Sequence, residues 1–391
     1  MKRFGIILLL AAMLSGVSCT RRAEGVIRPV AMVQEMLADT SRYYSRQVLA
    51  AGMHNDHGTI AVVGVPEEVI LVTEGLLTCD VHDNISGRHA ADGLPDFSGE
   101  TVAQVLDIAG APYDAYCASG TDGAAGTIDL NETFRTLHVR NFLHAIDTTS
   151  LISQVDESSA VFKQRAKMVV FASSYSDRAR YDIDTLCRRL GVDIPVITPV
   201  KAVSDYVRHN IGSESHLLVW ADDAKIGNRV WPGRQEGVTY HPYACGLDTP
   251  AASDSLVRAS FLHLLDGYLD SGSEAKLAGL VVDNICLPFD SLREVIEGIL
   301  STDDDNLLIY RNILNPDFEC FSVAEAISDV CYGDLRTANA FTHRIAYPDL
   351  RSFFTSTSAE QIVELRDRYF SESLMDFMEE YAPKTFSLYV R

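Results

Sequence analysis

From residue 168 to residue 300 the chain alternates short apolar runs with amphipathic stretches, and this alternation restricts the fold more than any other feature of the sequence. Strands are expected at 168–172, 194–197, 217–220, 280–282 and 307–310, and helices at 182–190, 200–209, 253–269 and 291–300. Apolar runs this short and this unbroken suit strands buried on both faces, as in a parallel sheet covered by helices. In such sheets ligands bind at the carboxyl edge, where strands hand over to helices. Upstream, the pattern predicts a helix over 32–51, strands over 59–65 and 69–73, a helix opening after Ser98, and a helix over 131–145. The tail from about Ser322 reads as helical, with an apolar stripe along 358–381. The expected fold is therefore α/β, with two Rossmann-like lobes built on parallel sheets and a helical C-terminal extension. The lobes are placed at 32–160 and 161–320, and the extension at 321–391.

The N-terminus carries a different kind of information. Lys2 and Arg3 precede an uncharged apolar run over 4–14, too short to cross a bilayer as a helix. Gly16, Val17 and Ser18 then lead to Cys19. The segment 1–19 resembles a bacterial lipoprotein signal, with Gly16 where such signals usually carry leucine. The resemblance implies lipidation of Cys19, a tether over 20–31, and a body anchored to a membrane at the cell envelope, periplasmic or surface-exposed. A formal net charge of −21 argues against nucleic-acid binding, because such a chain repels phosphate backbones. Eight cysteines are present, and lipidation of Cys19 leaves seven, so at least one stays unpaired within the monomer. None stands in a CxxC pair, and they read as small buried hydrophobes.

The turns in the alternating region suggest a family. Val170-Phe171-Ala172-Ser173-Ser174 ends one strand, 194–202 joins a strand to a helix, and Gly279 to Pro288 ends another strand through Asp283-Asn284-Ile285-Cys286. This succession resembles the aspartate/glutamate racemase superfamily, in which a cysteine follows a strand in each half and two thiols face one another across an amino acid. The resemblance implies an interlobe cleft lined by Ser173, Ser174, Asp283 and Asn284. Ser173 and Asn284 stand at the positions matching the catalytic cysteines, and Cys286 where the family usually has histidine. A serine hydroxyl is too weak an acid to replace a thiol without an activating base, and an asparagine amide cannot do so. The function implied is binding of a small amino-acid-like or carboxylate ligand, with or without its chemical transformation, and without two-thiol racemisation. No cofactor is expected on this reading.

Two alternatives come from other residues. His54, Asp56, His57, Asp80, His82, Asp83, His89, Asp92, Asp96 and Glu100 crowd one region, and His82, Asp83 and Asp96 are the ligands a metal-dependent hydrolase would use. Within that region Ser98 and Gly99 are expected to open a helix whose amides could hold an anion. A third reading is a non-catalytic binding or assembly lipoprotein. No GxSxG elbow occurs, and His138 and His144 read as packed residues rather than bases. Trp220 and Trp231 are candidates to line the cleft.

Overall fold

The computed structural model describes residues 28–53, 55, 57–80, 95–107, 113, 130–148, 163–244, 246, 253–284, 288–342 and 349–355. Two five-stranded sheets organise the chain. The first takes β1 (Thr59–Gly64), β2 (Thr101–Asp107), β3 (Ala166–Phe171), β4 (Val196–Ile197) and β10 (Asp349–Thr355), in the order β10-β2-β1-β3-β4, all parallel. The second takes β5 (His216–Ala221), β6 (Arg234–Gln235), β7 (Val238–Ala244), β8 (Leu277–Asp283) and β9 (Leu314–Ser322), in the order β6-β7-β5-β8-β9. Only β6 runs antiparallel, paired to β7. Every residue of β1, β2, β3 and β8 is buried, the unbroken burial of strands covered on both faces.

The described helices are α1 (Ala31–Ala38), α2 (Tyr43–Ala51), α3 (Pro66–Thr78), α4 (Leu130–Ile146), α5 (Arg180–Leu190), α6 (Pro199–Asn210), α7 (Asp223–Gly227), α8 (Asp254–Asp270), α9 (Phe289–Leu300), α10 (Leu308–Ile313) and α11 (Val323–Thr337). One face of the first sheet packs on α1, α2, α4 and α5 through Val63, Phe142, Phe171 and Leu186. The outer face of the second sheet packs on α8 and α9 through Trp220, Phe261 and Ile296. Between the sheets lie α3, α6 and α11. Their apolar residues form one continuous core with Ile60 and Val170 of the first sheet and Val219 and Val281 of the second. The two lobes therefore share a core.

The structure corrects several expectations. The segment 69–73 is helical, not extended: Pro66 opens α3, Glu67 and Glu68 occupy its first turn, and the apolar run is a helix face buried between sheets. The residues after Ser98 form β2 rather than a helix, since Thr101, Val102 and Val105 are β-branched and buried on both sides. Helix 32–51 is broken at Asp39, whose carboxylate accepts from Ser41 N at 3.0 Å and Ser41 Oγ at 2.6 Å. Residues 307–310 lead into the short helix α10, and the strand follows as β9. The lobe boundary at 160/161 also shifts: β3 and β4 belong to the first sheet, and the second lobe starts with β5. The tether expected through residue 31 is already docked at Val30, which is buried and donates its N–H to Asp182 at 2.8 Å. The extension holds α11 but also β10, which returns to the edge of the first sheet beside β2. Residues 356–391, including the expected helix 358–381, lie outside the described residues.

Candidate functional site at the facing strand ends

Each sheet delivers polar residues from the carboxyl ends of its strands. Beyond β3 the chain turns through Ser173 into a 3₁₀ segment, Ser174–Ala179. Beyond β8 it passes through Asp283 to Asn284, and beyond β5 through Asp222 into α7. These ends meet. Ser174 Oγ donates to Asp283 Oδ2 at 2.5 Å, joining the lobes directly. Trp231 Nε1 donates to the same oxygen at 2.8 Å, and Lys225 Nζ reaches Asp283 Oδ1 at 2.7 Å. Lys225 also pairs with Glu68 Oε1, at 2.8 Å, from the first turn of α3. Asn284 turns aside from the two serines and donates from Nδ2 to Asp222 Oδ1 at 2.6 Å. A second tie across the lobes runs from Arg178 Nη2 to the Asn228 carbonyl at 2.5 Å, and from Asn228 Nδ2 to Tyr175 Oη at 3.1 Å.

The electrostatics follow from burial. Burial alone would push the Lys225 ammonium down, but Asp283, Glu68 and Asp222 around it hold its pKa well above the usual lysine value, so it stays charged. Burial pushes Glu68 up, opposed by Lys225 and reinforced by the Asp283 charge. Three carboxyl groups thus share one cation. Glu68 Oε2 and Ser173 Oγ are buried without a well-formed hydrogen bond, although the hydroxyl lies close enough to favour the charged carboxylate. They are the acceptor and donor in this cluster still open to a ligand or a water.

At the end of β2 lies a buried aromatic cluster. Tyr113 Oη donates to Asp107 Oδ2 at 2.8 Å, and Asn141 Nδ2 donates to that same oxygen at 2.8 Å. His138 stands edge-on to Phe134 and Tyr113, at 4.6 and 4.9 Å between ring centroids, with neither ring nitrogen bonded. Burial pulls its pKa down to about 3, so it is neutral at physiological pH.

Of the six residues expected to bind ligand, Ser173, Ser174, Asp283 and Asn284 come together at these strand ends. Ser98 and Gly99 do not join them. They lie in a turn ahead of β2, with Ser98 Oγ donating to the Pro95 carbonyl at 2.6 Å and Gly99 at φ +84°, so no helix N-terminus is offered to an anion. Trp231 reaches the site, whereas Trp220 packs on Phe261 in the core. His82 and Asp83 lie outside the described residues, as do Cys19 and Cys286. Asp96 accepts from the Cys79 thiol at 3.2 Å. Among the described residues no group of three or more His, Cys, Asp or Glu is placed to hold a metal ion. Burial raises the thiols of the described cysteines, Cys79, Cys187, Cys320 and Cys331, which keeps them protonated. A separate cavity of about 730 Å³ between α3, α6, β9 and α11 shares no residue with the cluster, and its Arg293 and Glu325 already pair at 2.8 Å.

Sequence reasoning missed Glu68, Lys225 and the hydrogen-bonded group of Tyr113, Asp107 and Asn141. Lys225 had a usable signal: a lysine in the turn beyond the apolar run that ends at Ala221, in Asp222-Asp223-Ala224-Lys225. Glu68 had none, because the run after it reads equally well as strand or helix.

No family model matches the sequence, and no curated protein matches it. Solved structures similar to the chain include glutamate racemases. With glutamate racemase isoform RacE1 from Bacillus anthracis the identity is 13%, over 81% of this chain and 95% of that one, at a TM-score of 0.42. With the Thermus thermophilus enzyme in complex with β-chloro-D-alanine it is 16%, over 81% and 94%, at 0.43. With the Francisella tularensis enzyme in complex with D-glutamate it is 15%, over 81% and 95%, at 0.39.

Proposed function

We propose that the chain is an envelope lipoprotein that binds a small amino-acid-like or carboxylate ligand between its two lobes, in a racemase-like frame that does not run two-thiol racemisation. The observation that carries this reading is the meeting of Ser174 and Asp283 from the carboxyl ends of parallel strands in different sheets. Such ends are where open α/β sheets bind ligands. The cluster offers hydroxyl, indole, ammonium and carboxylate groups, a set suited to an ammonium–carboxylate ligand. Among the described residues of the two turns, which are serine, aspartate and asparagine, no thiol stands ready to take an α-proton or to return one. Trp231 sits on Asp283, so ligand entry should change its environment.

The test is a panel of amino acids, 2-hydroxy acids and simple carboxylates, read by thermal shift and tryptophan fluorescence. At least one amino-acid-like or carboxylate compound should bind the native chain and bind Asp283→Asn at least ~10-fold more weakly, the loss of a charged hydrogen-bond partner. A panel without a binder, or binding indifferent to Asp283→Asn, would count against the site. Solvent exchange of an amino-acid α-proton would show that racemisation survives. The envelope part of the reading rests on Cys19. In a bacterial host the native chain should partition with membranes, and Cys19→Ala should either appear in the soluble envelope fraction or stay unprocessed. Membrane retention of a normally sized Cys19→Ala product would rule out the lipid anchor.

A further inference from the structure

The far end of the first lobe, where β1, β3 and β4 begin, has a surface unlike the rest of the molecule. The helix α2 lies there against α4 and α5, burying Ser45, Val48 and Ala51. Its outer side is apolar. Tyr43, Leu49 and Met53 are 43%, 39% and 63% exposed, and they make up half of the six large exposed hydrophobics among the described residues. Scattered singly, such side chains are unremarked features of any surface; three within eleven positions form a patch. Tyr43 is tied down by donating to Asp147 Oδ1 at 2.8 Å, so its ring is held at the surface.

Arginines surround the patch. Arg46 projects from α2 itself, and the Arg165 guanidinium lies 3.9 Å from Met53 Sδ. Arg188 and Arg189 close the last turn of α5, whose end packs on α2 where Val192 abuts Gly52. None of these four has an ion-pair partner among the described residues, whereas Arg208, Arg234 and Arg293 elsewhere sit against carboxylates. Among the described residues the exposed acids at this end are Glu35 and Asp39, which pair with Arg42, Asp184, which pairs with Arg180, and Asp193. In a chain of net charge −21, four arginines without an ion-pair partner among the described residues, gathered around exposed apolar side chains, are a local departure from the overall charge.

We propose that this face docks on an anionic phospholipid surface, with Leu49 and Met53 entering the headgroup boundary and the arginines against phosphates. Arginine stems lie along apolar surface while their heads meet charge, and aromatic rings sit well at that boundary. The inference does not depend on lipidation of Cys19 or on the interlobe ligand. The two would act together, because one acyl chain alone gives marginal binding and a second basic signal makes it stable.

The experiment is co-sedimentation of residues 20–391 with vesicles. Removing residues 1–19 deletes no described contact, since the first buried residue is Val30. Vesicles of phosphatidylglycerol and phosphatidylethanolamine are compared with pure phosphatidylcholine. The protein should sediment with the anionic vesicles and not the neutral ones, and high salt should release it. Each arginine near an anionic surface is worth about fivefold, so Arg188→Gln with Arg189→Gln should weaken binding by ~20-fold. Met53→Ser should weaken it by a few-fold, and Arg258→Gln on the second lobe should leave it unchanged. Failure to bind anionic vesicles, or equal losses from Arg258→Gln and from the α5 pair, would overturn the proposal.

Discussion

His138 shows how a single side chain can set the acid limit of this fold. It is fully enclosed by Phe134, Tyr113 and Phe171, and neither ring nitrogen has a partner. Burial lowers its pKa from 6.5 to about 3, and the nearby Arg178 charge adds to this. A base whose folded pKa is depressed takes up protons more readily when unfolded. Its contribution is therefore complete above about pH 6.5 and is lost as the pH falls below that value. His144, lowered to about 4 mainly by burial, acts in the same sense. His138→Phe keeps the aromatic volume and removes the titration. We expect the stability lost between pH 7 and pH 5 in chemical denaturation to shrink by about 2 kcal/mol in this variant. An unchanged pH dependence would show that the imidazole is solvated in the native state. That His138 is packed rather than catalytic was readable from the sequence, because it falls on the apolar face of a helix with Phe134 and Phe142. The site residues divide differently. Ser173, Ser174, Asp283 and Asn284 were legible because all four stand at or just beyond the end of a strand. Glu68 could not, because its role depends on Lys225 arriving from the other lobe.

At the level of elements, period and burial decided what could be read. The strands β3, β5 and β8 and the helices α4 to α6, α8 and α9 were placed within a few residues, because their runs have the length and flanking turns of one type only. The failures at 69–73 and 98–106 share a cause. A short apolar run covered on both faces has no amphipathic period, so α3 and β2 differ in sequence only by the proline and paired glutamates that open the first and the β-branched residues of the second. Ser98 imitated a helix cap while serving a turn. At α11 a capping box is formed: Ser322 Oγ accepts from Glu325 N at 3.1 Å, and Glu325 Oε2 accepts from Ser322 N at 2.7 Å. Glycines separate strand from helix in a testable way. A Cβ at Gly279 in β8 would meet the Glu319 carbonyl oxygen of β9 at 2.7 Å, while a Cβ at Gly298 in α9 would meet nothing within 4 Å. Gly279→Ala should therefore force β8 and β9 apart and cost about 1–3 kcal/mol. Gly298→Ala should stabilise by up to about 1 kcal/mol through helix propensity. Denaturant midpoints will report both, and equal effects would mean that β9 moves freely.

On the scale of the whole molecule, the two sheets are one structure because α3, α6 and α11 fill a single core between them. Nothing local in the sequence announces this. The expected boundary at 160/161 followed the order of elements, whereas strand pairing carried β3, β4 and finally β10 back to the first sheet. Over that shared core sits the polar bridge of Ser174, Asp283, Lys225 and Glu68, whose cation is the only charge of its sign in direct contact with both carboxylates among the described residues. Lys225→Met should leave Glu68 and Asp283 buried without compensation, at a cost of about 3–5 kcal/mol near neutral pH. The pH dependence of this variant has a definite sign. Glu68, whose folded pKa burial raises, binds a proton more readily when folded, so stability should recover as the pH falls through that raised pKa and decline again as it rises. Unfolding should remain a single transition throughout, because removing one ion leaves the apolar core between the lobes untouched. Two separated transitions in Lys225→Met would mean that the bridge, and not the core, joins the lobes. A stability unchanged by the substitution would mean that the ion pairs of Lys225 do not hold the facing strand ends together.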